Sequence, residues 1–225
     1  MRFTASARRS TPKTRQQCCG REREVPVPPP LSGELAIRIL VDEVDGYFAA
    51  LSGAGVAETR AGLSVWRNGP VTPRAATANL VVDRWMADAL TDLALTHPAL
   101  AGAIRAARPH LNWLTFNGYP VGDIGAAFAS GHAYASILGE DAAIPAIDWD
   151  MGIFLIAPHM LYRDHSHQAP ELYAPLTGPH GWRSGPEKPL VITPAHRTVW
   201  SDPFVPHLTK VGPVPFLSLY ARPGM

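Results

Sequence analysis

His165-Ser166-His167-Gln168-Ala169-Pro170-Glu171-Leu172-Tyr173 is the stretch whose reading decides the fold of this chain. In an extended strand, residues two apart project from the same face, so His165 and His167 would aim two imidazoles at one point. Glu171 adds a carboxylate from the same or the next strand. Neutral imidazole and carboxylate together are ligands for a borderline divalent metal. A fourth ligand is then expected from a distant histidine on a neighbouring strand. His207 is the first candidate and His196 its competitor.

Working outward, residues 147–157 alternate Ile147, Trp149, Met151, Ile153, Leu155 and Ala157 with Asp148, Asp150, Gly152, Phe154 and Ile156. Short strand-like runs follow at 160–164, 171–176, 189–193, 197–201, 207–210 and 214–221, with Pro and Gly in nearly every gap. Regular short strands with such turns indicate a sandwich or small barrel. Upstream the periodicity changes. Ile37, Leu40, Val41, Val44, Tyr47, Phe48 and Leu51 recur at three and four, one face of a helix over 34–51. Residues 56–74 read as loop. A second helix is predicted over 75–95, and a third over 98–107 with Pro98 in its first turn. Asp123 is placed to cap a fourth, over 124–138. Between these last two, residues 109–122 mix aromatics with turn formers and show no clear period.

The expected organisation is therefore a tail over 1–32, a helical region over 33–146 and a metal-binding β-barrel over 147–225. The tail holds seven Lys/Arg against two Glu within residues 1–24, and Val25-Pro26-Val27-Pro28-Pro29-Pro30 reads as a polyproline-type linker. It is expected to be disordered. Its adjacent Cys18 and Cys19 are the only cysteines, so the core is disulfide-free and the expected location is the cytoplasm. The net charge of +1 gives no case for nucleic acid as a partner, and no apolar run approaches the length needed to cross a bilayer.

The extended pattern His165-x-His167-x-x-x-Glu171-x-x-x-x-x-x-Gly178 matches the first metal motif of the cupin family. That resemblance implies a double-stranded β-helix, or jelly-roll, barrel. Its second motif would supply His207 ahead of the strand-like Val214–Tyr220, although the usual Pro-x-Gly before that histidine is missing. More of the chain resembles one branch of cupins. Ile153-Phe154-Leu155-Ile156-Ala157-Pro158, then Tyr162, then the His/Glu/Tyr segment, then Trp182, is similar to the cupin-type dimethylsulfoniopropionate (DMSP) lyases, from about Leu111 to the C-terminus. The chain departs from that pattern at His159, where a glycine is usual, and at Ala169-Pro170.

The resemblance implies a metal-dependent carbon–sulfur lyase that splits DMSP into acrylate and dimethyl sulfide by β-elimination. It implies one divalent transition metal (Zn, Fe, Mn, Ni or Co) on His165, His167, Glu171 and His207. Tyr162 is the implied base, and Tyr173 a second tyrosine that ligates the metal or shares the base role. A sulfonium is a soft cation that aromatic faces bind, so Trp113, Tyr119, Trp149 and Trp182 are the candidate substrate contacts. The expected partner is a small sulfonium carboxylate, with no membrane and no nucleic acid, in a chain that is a candidate homodimer. Two other classes share the motif: a metal-dependent dioxygenase or isomerase, and a non-enzymatic small-molecule-binding cupin.

Overall fold

The structure is a computed structural model, and it describes residues 31–224. The basic tail, its two cysteines and the proline run lie outside the described residues. Helices come first: α1 (Gly33–Ala49), α2 (Val56–Trp66), α3 (Leu80–Ala94), α4 (Pro98–Ala107), and the short α5 (Val121–Ile124) and α6 (Ala126–Ser130). Ten strands follow: β1 (His132–Gly139), β2 (Ile144–Pro145), β3 (Trp149–Ile156), β4 (Leu161–His165), β5 (Glu171–Pro175), β6 (His180–Ser184), β7 (Val191–Thr193), β8 (Val199–Ser201), β9 (His207–Lys210) and β10 (Phe216–Pro223). They form a six-stranded sheet in the order β2-β1-β3-β10-β5-β8 and a four-stranded sheet in the order β4-β9-β6-β7. Helices followed by a two-sheet β-barrel is the expected fold class.

The larger sheet is buried on both faces, and side-chain parity shows how. On β3, Met151, Ile153 and Leu155 join Leu217, Leu219 and Ala221 of β10 and Leu172 and Ala174 of β5 in one apolar cluster with α1, α3 and α4. The intervening residues Phe154, Ile156, Tyr173, Phe216 and Tyr220 belong to a second cluster with Tyr162 and Trp182. Aliphatic side chains thus face the helices, and aromatic and polar ones fill the barrel, because successive residues of a strand point to opposite sides. Since the two layers share this sheet, residues 31–224 are one compact unit and not a helical domain beside a barrel.

Several expectations are corrected. The loop expected over 56–74 contains α2. Gly62 reads as a helix breaker, but a Cβ there would lie 2.3 Å from the Trp149 ring, so it marks a close approach between α2 and β3. The helix expected over 124–138 is two short helices interrupted at Gly125, whose φ is 90°, and then strand β1. Alanines hid the period of two in β1: Ala133, Ala135 and Ile137 enter the helix-side core while Tyr134 and Ser136 face the barrel. The strands therefore begin at His132 and not at residue 147. The helix expected from residue 75 begins at Leu80, and Asp123 lies inside α5 rather than capping a helix. Pro98 opens α4, and the Asn79 side chain accepts from the Val81 and Val82 amides at the start of α3, a cap worth about 1 kcal/mol.

Candidate metal centre and aromatic pocket

Three imidazoles converge at one end of the barrel. His165 ends β4 and His207 begins β9, and the two are direct cross-strand partners. His167 sits in the turn between β4 and β5, two residues on. Their candidate ligand nitrogens all lie within 4.8 Å of one another. Each ring is oriented in the same way. Nδ1 of His165 donates to the Arg163 carbonyl at 2.9 Å, Nδ1 of His167 to the Ala169 carbonyl at 2.7 Å, and Nδ1 of His207 to the Val205 carbonyl at 3.0 Å. A carbonyl can only accept, so the proton is on Nδ1 and the Nε2 lone pair is left facing inward. His207 Nε2 is buried and has no hydrogen-bond partner among the described residues.

Glu171, fully buried at the start of β5, closes the group. Its Oε2 lies 3.1 Å from His167 Nε2 and 3.7 Å from His207 Nε2. Its Oε1 accepts from Arg222 Nε at 2.8 Å. Burial alone would raise this carboxyl. The Arg222 guanidinium and then the neighbouring imidazoles of His167 and His207 outweigh it and hold Glu171 well below the usual carboxylate range. His165 is pushed down to about 3 by burial and then by His207, so its imidazole is neutral near pH 7. Inward lone pairs beside a carboxylate oxygen repel unless a cation lies among them. The donor set therefore fits a divalent metal, which His165, His167 and His207 could hold with the Glu171 carboxylate beside them. His196 is not part of it. Tyr47 Oη bonds its Nδ1 and Thr96 Oγ1 its Nε2, each at 3.1 Å, on the helical side of the sheet.

The two tyrosines flank this group. Tyr162 and His165 are three residues apart and would face opposite sides of a regular strand. A bulge between them turns both rings inward, where they stack with centroids 3.7 Å apart. Phe128 of α6 covers the other face of Tyr162, also at 3.7 Å. Tyr173, two residues past Glu171, shares its face of β5 as expected. Burial, and then the Glu171 charge, push both phenols above the usual tyrosine range. Both line a cavity of about 280 Å³ whose other walls include Phe116, Tyr134, Phe154, Tyr220, Asp150 and Arg222.

The expected aromatic contacts divide. Tyr119 stands 5.7 Å from the His165 ring and donates its hydroxyl to the Ser166 carbonyl. Trp182 packs on Tyr173 at 5.3 Å, with its Nε1 buried and unpartnered among the described residues. Trp113 and Trp149 are corrections, because both belong to the helix-side core. Trp113 donates its Nε1 proton to the Arg108 carbonyl, and Trp149 occupies the space over Gly62. Sequence reading passed over Arg222 and Asp150. Parity was the available signal, since Asp150 shares its strand face with Phe154 and Arg222 shares its face with Tyr220.

Comparison with known proteins agrees with this geometry. The family model for dimethylsulfoniopropionate lyase matches residues 66–218, more than half of the chain. No curated protein matches. Among solved structures, one of the DMSP lyases RdDddP and RnDddQII is 22% identical, with a TM-score of 0.70 over 86% of this chain and 94% of its own. The DMSP lyase DddQ from Ruegeria pomeroyi DSS-3 is 21% identical, with a TM-score of 0.62 over 85% of this chain and 92% of its own. These likenesses support the fold, and the match to the family model decides the family: the chain belongs to the dimethylsulfoniopropionate lyases.

Proposed function

We propose that this protein cleaves DMSP to acrylate and dimethyl sulfide by a base-initiated β-elimination, with one divalent transition metal (Zn, Fe, Mn, Ni or Co) held by His165, His167, His207 and Glu171. The observation that carries the reading is the placement of two buried tyrosines beside three imidazoles whose Nε2 atoms are left unprotonated. When bound there, the metal would act as a Lewis acid on the substrate carboxylate, and its charge would offset the burial that pushes the two phenols up.

Tyr162 is the base in this proposal. Its hydroxyl makes no hydrogen bond among the described residues, and the residue lines the cavity. Its ring is clamped between Phe128 and His165, which fixes the direction of the oxygen. As phenolate, Tyr162 takes the proton on the carbon next to the carboxylate. The electrons of that C–H bond form the new C=C bond, and the Cβ–S bond breaks with its pair going to sulfur. Sulfur leaves as a neutral thioether, so no acid is needed at the leaving group. Tyr173 stands beside Glu171, where it supports the ligand set or shares the base role. Aromatic walls around the cavity exclude water from the reacting carbon.

The test is headspace detection of dimethyl sulfide from metal-loaded protein and DMSP, with an oxygen electrode in the same vessel. Release of the thioether without oxygen uptake is expected. Oxygen consumption without thioether would replace the lyase with a dioxygenase.

A further inference from the structure

One wall of the aromatic cavity carries charge that the elimination does not use. Asp150 of β3 and Arg222 of β10 are cross-strand partners and both line the cavity. Asp150 is 8% exposed. Its Oδ1 accepts from Tyr220 Oη at 3.4 Å, and that hydroxyl is bonded in turn to Ser136 Oγ at 2.8 Å. Among the described residues, no cationic nitrogen comes within 4.0 Å of the Asp150 carboxylate. Arg222 spends Nε on Glu171, and neither of its Nη atoms has a hydrogen-bond partner among the described residues. The guanidinium lies over the Tyr220 ring at 5.4 Å, so it is held in place from two sides.

A buried carboxylate with no counter-ion is costly. The Arg222 side chain is 31% exposed, so its two Nη groups are open to a ligand. Here the two occur as neighbours that do not pair with each other, opening on the same small cavity. Two carbons separate the carboxylate from the onium centre in a β-onium carboxylate, and Asp150 and Arg222 present the two opposite charges to one cavity. The same cavity is lined by the rings of Phe116, Tyr134, Phe154 and Tyr220, surfaces that favour a soft cation, and by the carboxylates of Glu140 and Asp141.

We propose that Asp150 and Arg222 form a zwitterion clamp: the Arg222 Nη atoms donate to the substrate carboxylate, and the Asp150 carboxylate faces the onium centre at the other end. The clamp takes its ligand from the lyase reading and adds the selection rule. It accepts small β-onium carboxylates and discriminates against the thioether acid that has the same anion but no cation.

The experiment is calorimetric titration of the full chain stripped of metal with a chelator. DMSP and 3-(methylthio)propionate are the two probes. Wild type is expected to bind DMSP at least about tenfold more tightly than the thioether acid. Asp150→Asn is expected to bring that ratio close to one with thioether binding retained, and Asp150→Ser serves if the amide variant does not fold. Arg222→Gln is expected to weaken both probes by about tenfold or more. Equal affinities in wild type, a preference that survives loss of the Asp150 charge, or no binding of either probe would each overturn the clamp. Wild type decides the matter alone if neither Asp150 variant folds. The lyase reading fails separately, since metal-loaded protein that releases no dimethyl sulfide would leave the binding preference standing.

Discussion

Among the described residues two histidine clusters have similar ring spacing, and one of them offers a set of nitrogens that could hold a metal. At His97 and His196 the rings approach to 4.4 Å, and Tyr47 joins them edge-on. At His165 and His207 the ring separation is 4.2 Å, almost the same. Proximity therefore does not separate the two. The difference is in how each imidazole spends its two nitrogens. His196 is bonded on both sides, to Tyr47 and Thr96, and is a structural link between a barrel loop and the helical layer. Each ring of the barrel triad is tied at Nδ1 to a backbone carbonyl, which leaves Nε2 to face the other ligand-type groups. A short donation to the chain's own backbone fixes the tautomer, and the tautomer makes the ligand.

The largest effect that would break this comparison is on metal content. His167→Ala and His207→Ala should each take metal from near one per chain to near zero and abolish thioether release, whereas His196→Ala should keep its metal. Retained metal in the first two, read by elemental analysis, would remove the triad as the site. Next is Tyr162→Phe, expected to lower dimethyl sulfide release by about 10²–10⁴ with metal content unchanged; an active variant would pass the base role to Tyr173. His196→Ala should lose two hydrogen bonds, about 1–2 kcal/mol, and lower the melting temperature by roughly 2–8 °C.

The last effect is on acid stability in metal-free protein. Folded His165 accepts a proton only at about 3, whereas its ordinary value is 6.5. Between those values the unfolded chain binds the proton and the folded chain does not, so stability falls as pH drops through this window. The depressed Glu171 carboxyl acts in the same direction below its ordinary 4.5. His165→Gln should flatten the fall in thermal melts taken from pH 6.5 downward, and an unchanged slope would count against this account of His165.

What could be read in the sequence was local. His165, His167 and Glu171 lie within seven residues, and tight spacing preserved their register even though His167 proved to be in a turn and not on the strand. His207 lies much further along and was expected from the second motif of the cupin resemblance, ahead of the strand-like Val214–Tyr220. What escaped were relations between distant strands. Asp150 and Arg222 become neighbours only through the pairing of β3 with β10, and strand parity, which puts each on the barrel face, says nothing of that pairing. Alanine caused the misreading of β1, because it suits a helix and also a strand packed tightly under other helices. Trp113 and Trp149 were offered as ligand contacts on residue type alone, yet a large aromatic ring is as useful for filling the space between layers.

The bulge in β4 bears on how relatives of this chain are to be aligned. It makes an odd spacing, three residues from Tyr162 to His165, behave as an even one. A one-residue deletion there would leave both side chains in the sequence and almost nothing changed in composition. It would nonetheless send the phenol to the opposite side of the strand. A gap between these two positions therefore separates proteins whose tyrosine can face the histidine group from those that keep it only as a letter.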